Sequence, residues 1–168
     1  TDVRGIPFPA TDAYGKCENG DIMVLIDSGA TVSVTPHPEL IPEQRNISLH
    51  LEGFMGDKSV CPATGTLAGW MASTEGSKVP LNGGYGGYQP NKEDLGEAII
   101  SEPQLTSLGY QLLKEDYPVL VTPDQGEGQR EIPLYVKPNG YQYLRLTAAK
   151  VEENATIRKI CQRHRVGY

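Results

Sequence analysis

Hydrophobic residues along this chain come in short runs separated by turn residues, and most runs are too short for a helix. Residues 24–26 form a continuous apolar run with strong β-propensity, which is typical of a strand buried on both faces. Residues 47–51 alternate between apolar and polar, as a half-buried strand does. Further strands are predicted at residues 31–34, 60–70, 97–100, 118–122, 132–137 and 141–146. The pattern therefore predicts an all-β fold.

Two stretches have helical features. Residues 101–110 predict a short helix in which Ser101 is the N-cap, Pro103 lies in the first turn, and Leu105 and Leu108 share a face. Residues 148–164 space their apolar side chains loosely at helical intervals. The fold is therefore expected to contain one or two short helices.

Two other stretches predict irregular structure. Residues 73–94 include the segment Asn-Gly-Gly-Tyr-Gly-Gly-Tyr, whose glycines do not favour a regular element, so we expect a long loop there. Residues 35–42 contain three prolines, which predict a connection at the surface.

Composition narrows the class of protein. The 168 residues suit one domain, and 19 glycines and 13 prolines make the chain rich in turns, as in an all-β protein. The net charge of −6 argues against a nucleic-acid-binding surface, which requires a basic face. Three cysteines without metal-ligand spacing indicate reduced thiols and no zinc site. No signal peptide and no apolar run near 18 residues is apparent, so we expect a soluble cytoplasmic protein that does not span a membrane.

One carboxylate stands at a sharp turn. Asp27 ends the apolar run 24–26 and is followed by Ser28 and Gly29. Gly29 allows a tight turn that brings the backbone close to the acid, and the Ser28 hydroxyl is expected to hydrogen-bond locally and fix the loop. The tripeptide is common in ordinary turns, so its position after a buried strand is what makes it a candidate site.

The segment Asp27-Ser28-Gly29-Ala30 resembles the Asp-Thr/Ser-Gly active-site loop of aspartic proteases. The later blocks 99–110 (Ile-Ile-Ser-Glu-Pro-Gln-Leu-Thr-Ser-Leu-Gly-Tyr), 132–135 (Ile-Pro-Leu-Tyr) and 139–144 (Asn-Gly-Tyr-Gln-Tyr-Leu) are similar to the protease region of copia-type retrotransposon polyproteins. The order of these blocks, which spans residues 24–146, carries the resemblance more than any single block does.

The resemblance implies a retropepsin-like fold, barrel-like and closed, that works as a homodimer. In that family two Asp residues face each other and share one proton. Only one Asp-Ser/Thr-Gly occurs in this sequence, so a second copy of the chain would supply the partner of Asp27. Ser28 and Gly29 would orient the pair, and the substrate would be a polyprotein peptide, cut without a metal or cofactor in the cytoplasm in association with virus-like particles.

The resemblance also implies a division of the chain. Residues 1–20 would form an arm and first hairpin, with the arm free to pair with a symmetry mate, and residues 21–146 the protease domain. Residues 147–168 would be a C-terminal extension. Residues 47–70 would form the flap that closes over substrate, and 73–94 an inserted loop. Substrate contacts would come from Ala30, Thr31, Gly53, Phe54, Met55 and Gly56.

Alternatives stay open on the sequence alone. A catalytically inactive retropepsin-like module for dimerisation or peptide binding would share the fold. A structural β-sandwich or virion component would use Asp-Ser-Gly merely as a turn. A serine hydrolase built on Ser28 is less favoured, because no Gly-x-Ser-x-Gly motif is present and no histidine is marked as its base. The chain also lacks the Gly-Arg by which retroviral proteases brace the active-site loop, which leaves the support of Asp27 unassigned.

Overall fold

The structure is a computed structural model that describes residues 6–52, 58–91, 95–114, 117–126 and 128–162. It is mostly β, with helices α1 (Glu102–Ser107) and α2 (Val151–Gln162) and a 3-10 helix, Pro38–Leu40. The strands in chain order are β1 (Ile6–Pro7), β2 (Ile22–Asp27), β3 (Ser33–Thr35), β4 (Leu49–Glu52), β5 (Lys58–Cys61), β6 (Ala63–Ala72), β7 (Lys78–Tyr88), β8 (Ala98–Ser101), β9 (Gln111–Lys114), β10 (Pro118–Val121), β11 (Glu131–Pro133), β12 (Tyr135–Val136) and β13 (Gln142–Leu146). The all-β expectation is therefore confirmed at the level of class.

The main sheet has eight strands in the order β1-β12-β13-β2-β8-β3-β7-β6. The expected closed barrel is wrong for the described residues, because this order is open. Strand β13 is already paired with β12 and β2, so neither of its edges is free to accept β6. Trp70 of β6 does reach back, through two 2.9 Å hydrogen bonds with the backbone of Thr147, just after β13.

Strand β2 is buried on both faces, as its sequence predicts. Ile22 and Val24 belong to the main core, with Ile100, Leu105 and Leu144 among their cluster. Met23 points to the opposite side, in a second cluster with Cys17 and Tyr143. Because side chains alternate along a strand, a continuous apolar run is what packing on two faces requires.

The loop expected at residues 73–94 is wrong for half of its length, since β7 occupies Lys78–Tyr88. It pairs antiparallel with β6 and parallel with β3. Its glycines mark close approaches: a Cβ at Gly87 would lie 2.7 Å from Cys61 Sγ, and one at Gly83 would lie 2.9 Å from Leu67 Cδ2. Packing from distant parts of the chain has overridden the low intrinsic β-propensity.

Prolines explain two other differences from the predicted elements. The strand predicted at 60–70 is two strands, β5 and β6, in different sheets, and Pro62 between them has no N–H to continue a ladder. The proline-rich stretch 35–42 is only partly at the surface, because its 3-10 turn buries Leu40 and Ile41 completely.

The ends of the described chain pack on the same molecule. Strand β1 pairs in parallel with β12 of its own chain, where the sequence had left pairing with a second copy open. Helix α2 lies against β6, with Ile157 and Ala149 in one cluster with Ala68 and Trp70. In the part of the chain that the structure describes, no helix is long and apolar enough to cross a membrane.

Candidate active site

Asp27 is the last residue of β2 and lies beside Ser101, the last residue of the parallel strand β8. Strand β8 sits between β2 and β3, so residues 28–32 must pass over its end to reach β3. The same end is where α1 begins. The order of the strands thus brings the loop after Asp27 against the first turn of α1.

The turn at Asp27 is held by the acid itself. Oδ1 of Asp27 accepts a 2.8 Å hydrogen bond from the backbone N–H of Gly29. The side chain is half-buried, while Ser28 and Gly29 are exposed. The Ser28 hydroxyl makes no hydrogen bond with any residue that the structure describes, so the expected local bond from Ser28 is absent there. An acid with one fixed oxygen and partial access to solvent is suited to contact a water molecule.

Two polar side chains of the β8–α1 junction support this loop. Ser101 Oγ donates to the carbonyl of Ala30 at 2.6 Å, and Gln104 Nε2 donates to the carbonyl of Thr31 at 3.0 Å. The backbone N–H of Ser101 donates to Ser33 Oγ at 2.9 Å. These contacts hold the loop after Asp27 against the start of α1.

Sequence reasoning named Ser101 only as a helix cap and gave Gln104 no role. The spacing Ser-x-x-Gln is a capping-box pattern, in which the Gln side chain returns to the N–H of the cap. Here that N–H is already used by Ser33, and the Gln104 amide binds the neighbouring loop instead. The Ser-x-x-Gln pattern could have marked Gln104 as a hydrogen-bonding residue. Local sequence could not show that its partner is the distant Thr31 carbonyl.

The expected substrate-contact residues are only partly placed. Ala30 is half-buried and Thr31 is exposed, both in the loop after Asp27. Gly53, Phe54, Met55 and Gly56 lie outside the described residues. The strands β4 and β5 that flank them form an antiparallel pair with Leu49 opposite Cys61 and Glu52 opposite Lys58. The two strands of the hairpin predicted as a flap are thus observed, and its tip lies outside the described residues.

An open cavity of about 420 Å³ lies on the face of β8 that carries Ile99, opposite the main core, and its described lining does not include Asp27. Because successive side chains of a strand point to opposite faces, Leu25 and Asp27 lie on the same face of β2, opposite the main core. Phe8, Leu95 and Ile99 supply apolar lining, and Lys137 stands at the cavity with its Nζ 4.6 Å from the centre of the Phe8 ring. Such a cavity can take an apolar side chain of a bound peptide.

Two cysteines and one histidine that could otherwise serve as nucleophiles or bases are buried in the fold. Burial raises the pKa of both the Cys17 and the Cys61 thiols, which disfavours the thiolate that cysteine chemistry needs. The ring of His37 is buried, with Nε2 2.8 Å from the carbonyl oxygen of Tyr14. Within the described ranges, no group of three or more His, Cys, Asp or Glu is arranged to hold a metal ion.

Comparison of the chain with protein-family profiles, with curated proteins and with solved structures found no match. The case for a function therefore depends on the geometry around Asp27 and on the order of motifs in the sequence.

Proposed function

We propose that this protein is a retropepsin-like aspartic endopeptidase that acts as a homodimer and cuts a retrotransposon-type polyprotein. The observation that carries the proposal is the Asp27 carboxylate, which ends a strand buried on both faces, keeps partial access to solvent, and has one oxygen held by Gly29 N–H at 2.8 Å. A rigid acid at the end of a strand is what general acid–base hydrolysis requires.

In the proposed dimer, Asp27 of each chain faces its twin across a two-fold axis. Two carboxylates so close share one proton, because both cannot ionise cheaply. The ionised acid takes a proton from water, which attacks the peptide carbonyl, while the protonated acid donates to the carbonyl oxygen. As the tetrahedral gem-diol collapses, the acid that took the water proton gives it to the leaving nitrogen and the other carboxylate takes a hydroxyl proton back. The C–N bond breaks and the amine is released, with no covalent bond to the enzyme.

The substrate would lie extended between the Asp27 loops and the flap hairpins, where Ala30 and Thr31 border its path. An apolar side chain near the scissile bond would enter the cavity beside Ile99 and Phe8. The acidic net charge of −6 fits a peptide substrate better than a nucleic acid. We place this activity in the cytoplasm, within virus-like particles.

Substitution of Asp27 tests the proposal. Wild type and Asp27→Asn are incubated with a precursor that contains the chain and its flanking polyprotein sequence, and products are identified by mass spectrometry. We expect the substitution to abolish cleavage, a loss of at least about 10³-fold. Asp124→Asn is the matched control, since Asp124 Oδ1 also accepts backbone N–H groups, from Gly126 at 2.9 Å and Gly128 at 3.0 Å.

Cleavage by Asp27→Asn at the wild-type rate would overturn the assignment. The inactive-module alternative gives a different pattern, in which neither protein cuts but wild type binds a peptide carrying a hydroxyethylene in place of the scissile amide. Cleavage separates the two functions, calorimetric titration with that peptide shows whether a protein that does not cut still binds, and sedimentation of the same samples reports the dimer.

A further inference from the structure

The amide of Gln104 joins the loop after Asp27 to strand β7. Its Nε2 donates to the carbonyls of Thr31 and Tyr85, each at 3.0 Å. A primary amide has two N–H donors, so each carbonyl receives one hydrogen. The side chain thereby holds together two backbone segments that share no ladder at this point.

Gly84 provides the space for this amide. A Cβ at position 84 would overlap Gln104 Oε1, and the residue has a φ of +82°, which side chains rarely adopt. Strand β7 is therefore shaped locally to admit Gln104. The glycine at this position and the glutamine in α1 form one structural unit.

We infer that Gln104 is a positioning residue for the reaction proposed above, because it clamps the acid loop, residues 28–32 after Asp27, in place. This inference rests on the proposed function. Its hydrogen bond fixes Thr31, while Ser101 fixes Ala30, so the turn in which Gly29 N–H binds Asp27 cannot shift. Loss of the clamp would let the carboxylate move relative to its twin. A displacement of about 1 Å in a reacting group can cost about 10²-fold in rate.

The test compares Gln104→Ala and Gly84→Ala with matched controls. Thr106→Ala changes an exposed residue of the same helix, and Gly76→Ala introduces a side chain at a similar φ of +84° with nothing within 4 Å. We expect kcat per folded dimer to fall by about 10- to 100-fold in both test variants, with KM within about twofold. The double variant should be no worse than the poorer single variant, because both remove the same contact.

Hydrogen exchange of the Gly29 and Ala30 amides is measured on the same proteins and does not depend on activity. Faster exchange in Gln104→Ala, with no change in Thr106→Ala, supports the clamp. The clamp is overturned if these amides exchange in Gln104→Ala at the wild-type rate. It is also overturned if wild type is active and Gln104→Ala has the same kcat. A wild-type protein without peptidase activity would refute the proposed function, while exchange would still decide the clamp.

A second variant covers poor folding of Gln104→Ala. In Gln104→Glu the introduced carboxyl can donate one hydrogen bond when protonated, but repels both carbonyls when ionised. Because the two carbonyl oxygens disfavour the ionised carboxyl, we expect its kcat deficit to shrink as the pH falls, beginning above the ordinary glutamate range of about 4.3. A deficit that does not change with pH would contradict the positioning role.

Discussion

Gln89, at 4% exposure just after β7, donates a 2.9 Å hydrogen bond to the carbonyl of Val60 in β5, one arm of the hairpin proposed as the flap. The same amide donates to Ser59 Oγ at 2.7 Å, and the Gln89 backbone N–H bonds the carbonyl of Thr35 at the end of β3. One residue therefore ties the β4–β5 hairpin to β3, the strand that follows the loop after Asp27.

Gln89→Ala should loosen the flap. The substitution removes the two hydrogen bonds from the Gln89 amide to β5, so closure of the proposed flap over substrate becomes less favourable. We therefore expect KM to rise by about 3- to 10-fold, with a smaller change in kcat. Steady-state kinetics on a peptide substrate measure both. The control is Gln44→Ala, which removes one exposed 3.3 Å bond to Pro38. An unchanged KM would show that the tether does not act on closure.

Gly87→Ala should destabilise the protein. The added methyl would lie 2.7 Å from Cys61 Sγ and 2.9 Å from Cys61 Cβ, and Cys61 is fully buried. Overpacking of this kind costs about 1–3 kcal/mol. Urea unfolding measures the change, with Gly96→Ala as control, because that position has nothing within 4 Å. Equal stability of the two variants would contradict the tight packing of β7.

Tyr143→Phe should change the alkaline limit of stability. Burial, together with a 2.8 Å hydrogen bond to Glu97, raises the pKa of Tyr143 well above its ordinary value. Because the folded state holds this proton more tightly, its contribution is complete below roughly pH 10 and is lost as the pH rises further. We expect the variant to lose about 1 kcal/mol at neutral pH and to show a flatter decline above pH 10. The check is the denaturant midpoint of wild type and of Tyr143→Phe, measured between pH 7 and 11.5. Midpoints that change in parallel with pH in the two proteins would refute the prediction.

Lys16→Met should weaken stability at neutral pH, and the difference from wild type should vanish in acid. Burial opposes ionisation of Glu39, but the 2.9 Å bond from Lys16 Nζ, with a backbone N–H and the nearby charges, holds the pKa of Glu39 below its usual value. The stabilisation is present above roughly pH 4.3 and is lost as the pH falls below it. Both side chains are about one-third exposed, so we expect no more than about 1 kcal/mol. The variant and wild type should converge near pH 3 in thermal melts, and a constant difference would argue against the ion pair.

The sequence predicted the elements that depend on nearby residues, such as a strand with a continuous apolar run or a helix with a capping residue. The run at 24–26 became β2, and Ser101 caps α1 by accepting from Gln104 N at 3.3 Å, as expected. Strand β7 was missed because its stability comes from neighbours that local propensity does not include. The open order of the main sheet was missed for a similar reason, since it depends on which edges of β13 are already paired.

The candidate acid was readable from sequence, but its support was not. Asp27 could be named from a motif, whereas the bonds from Ser101 and Gln104 join residues 71 and 73 positions apart. Such contacts are set by the position of β8 between β2 and β3, which no local pattern encodes.

The strand that carries Asp27 lies between β8 and β13, both contributed by the second half of the chain. During translation, the aspartate therefore emerges from the ribosome long before either flanking strand exists. Its surroundings are complete only after Leu146 has been synthesised. This topology delays assembly of the surroundings of Asp27 until most of the nascent polypeptide has been made.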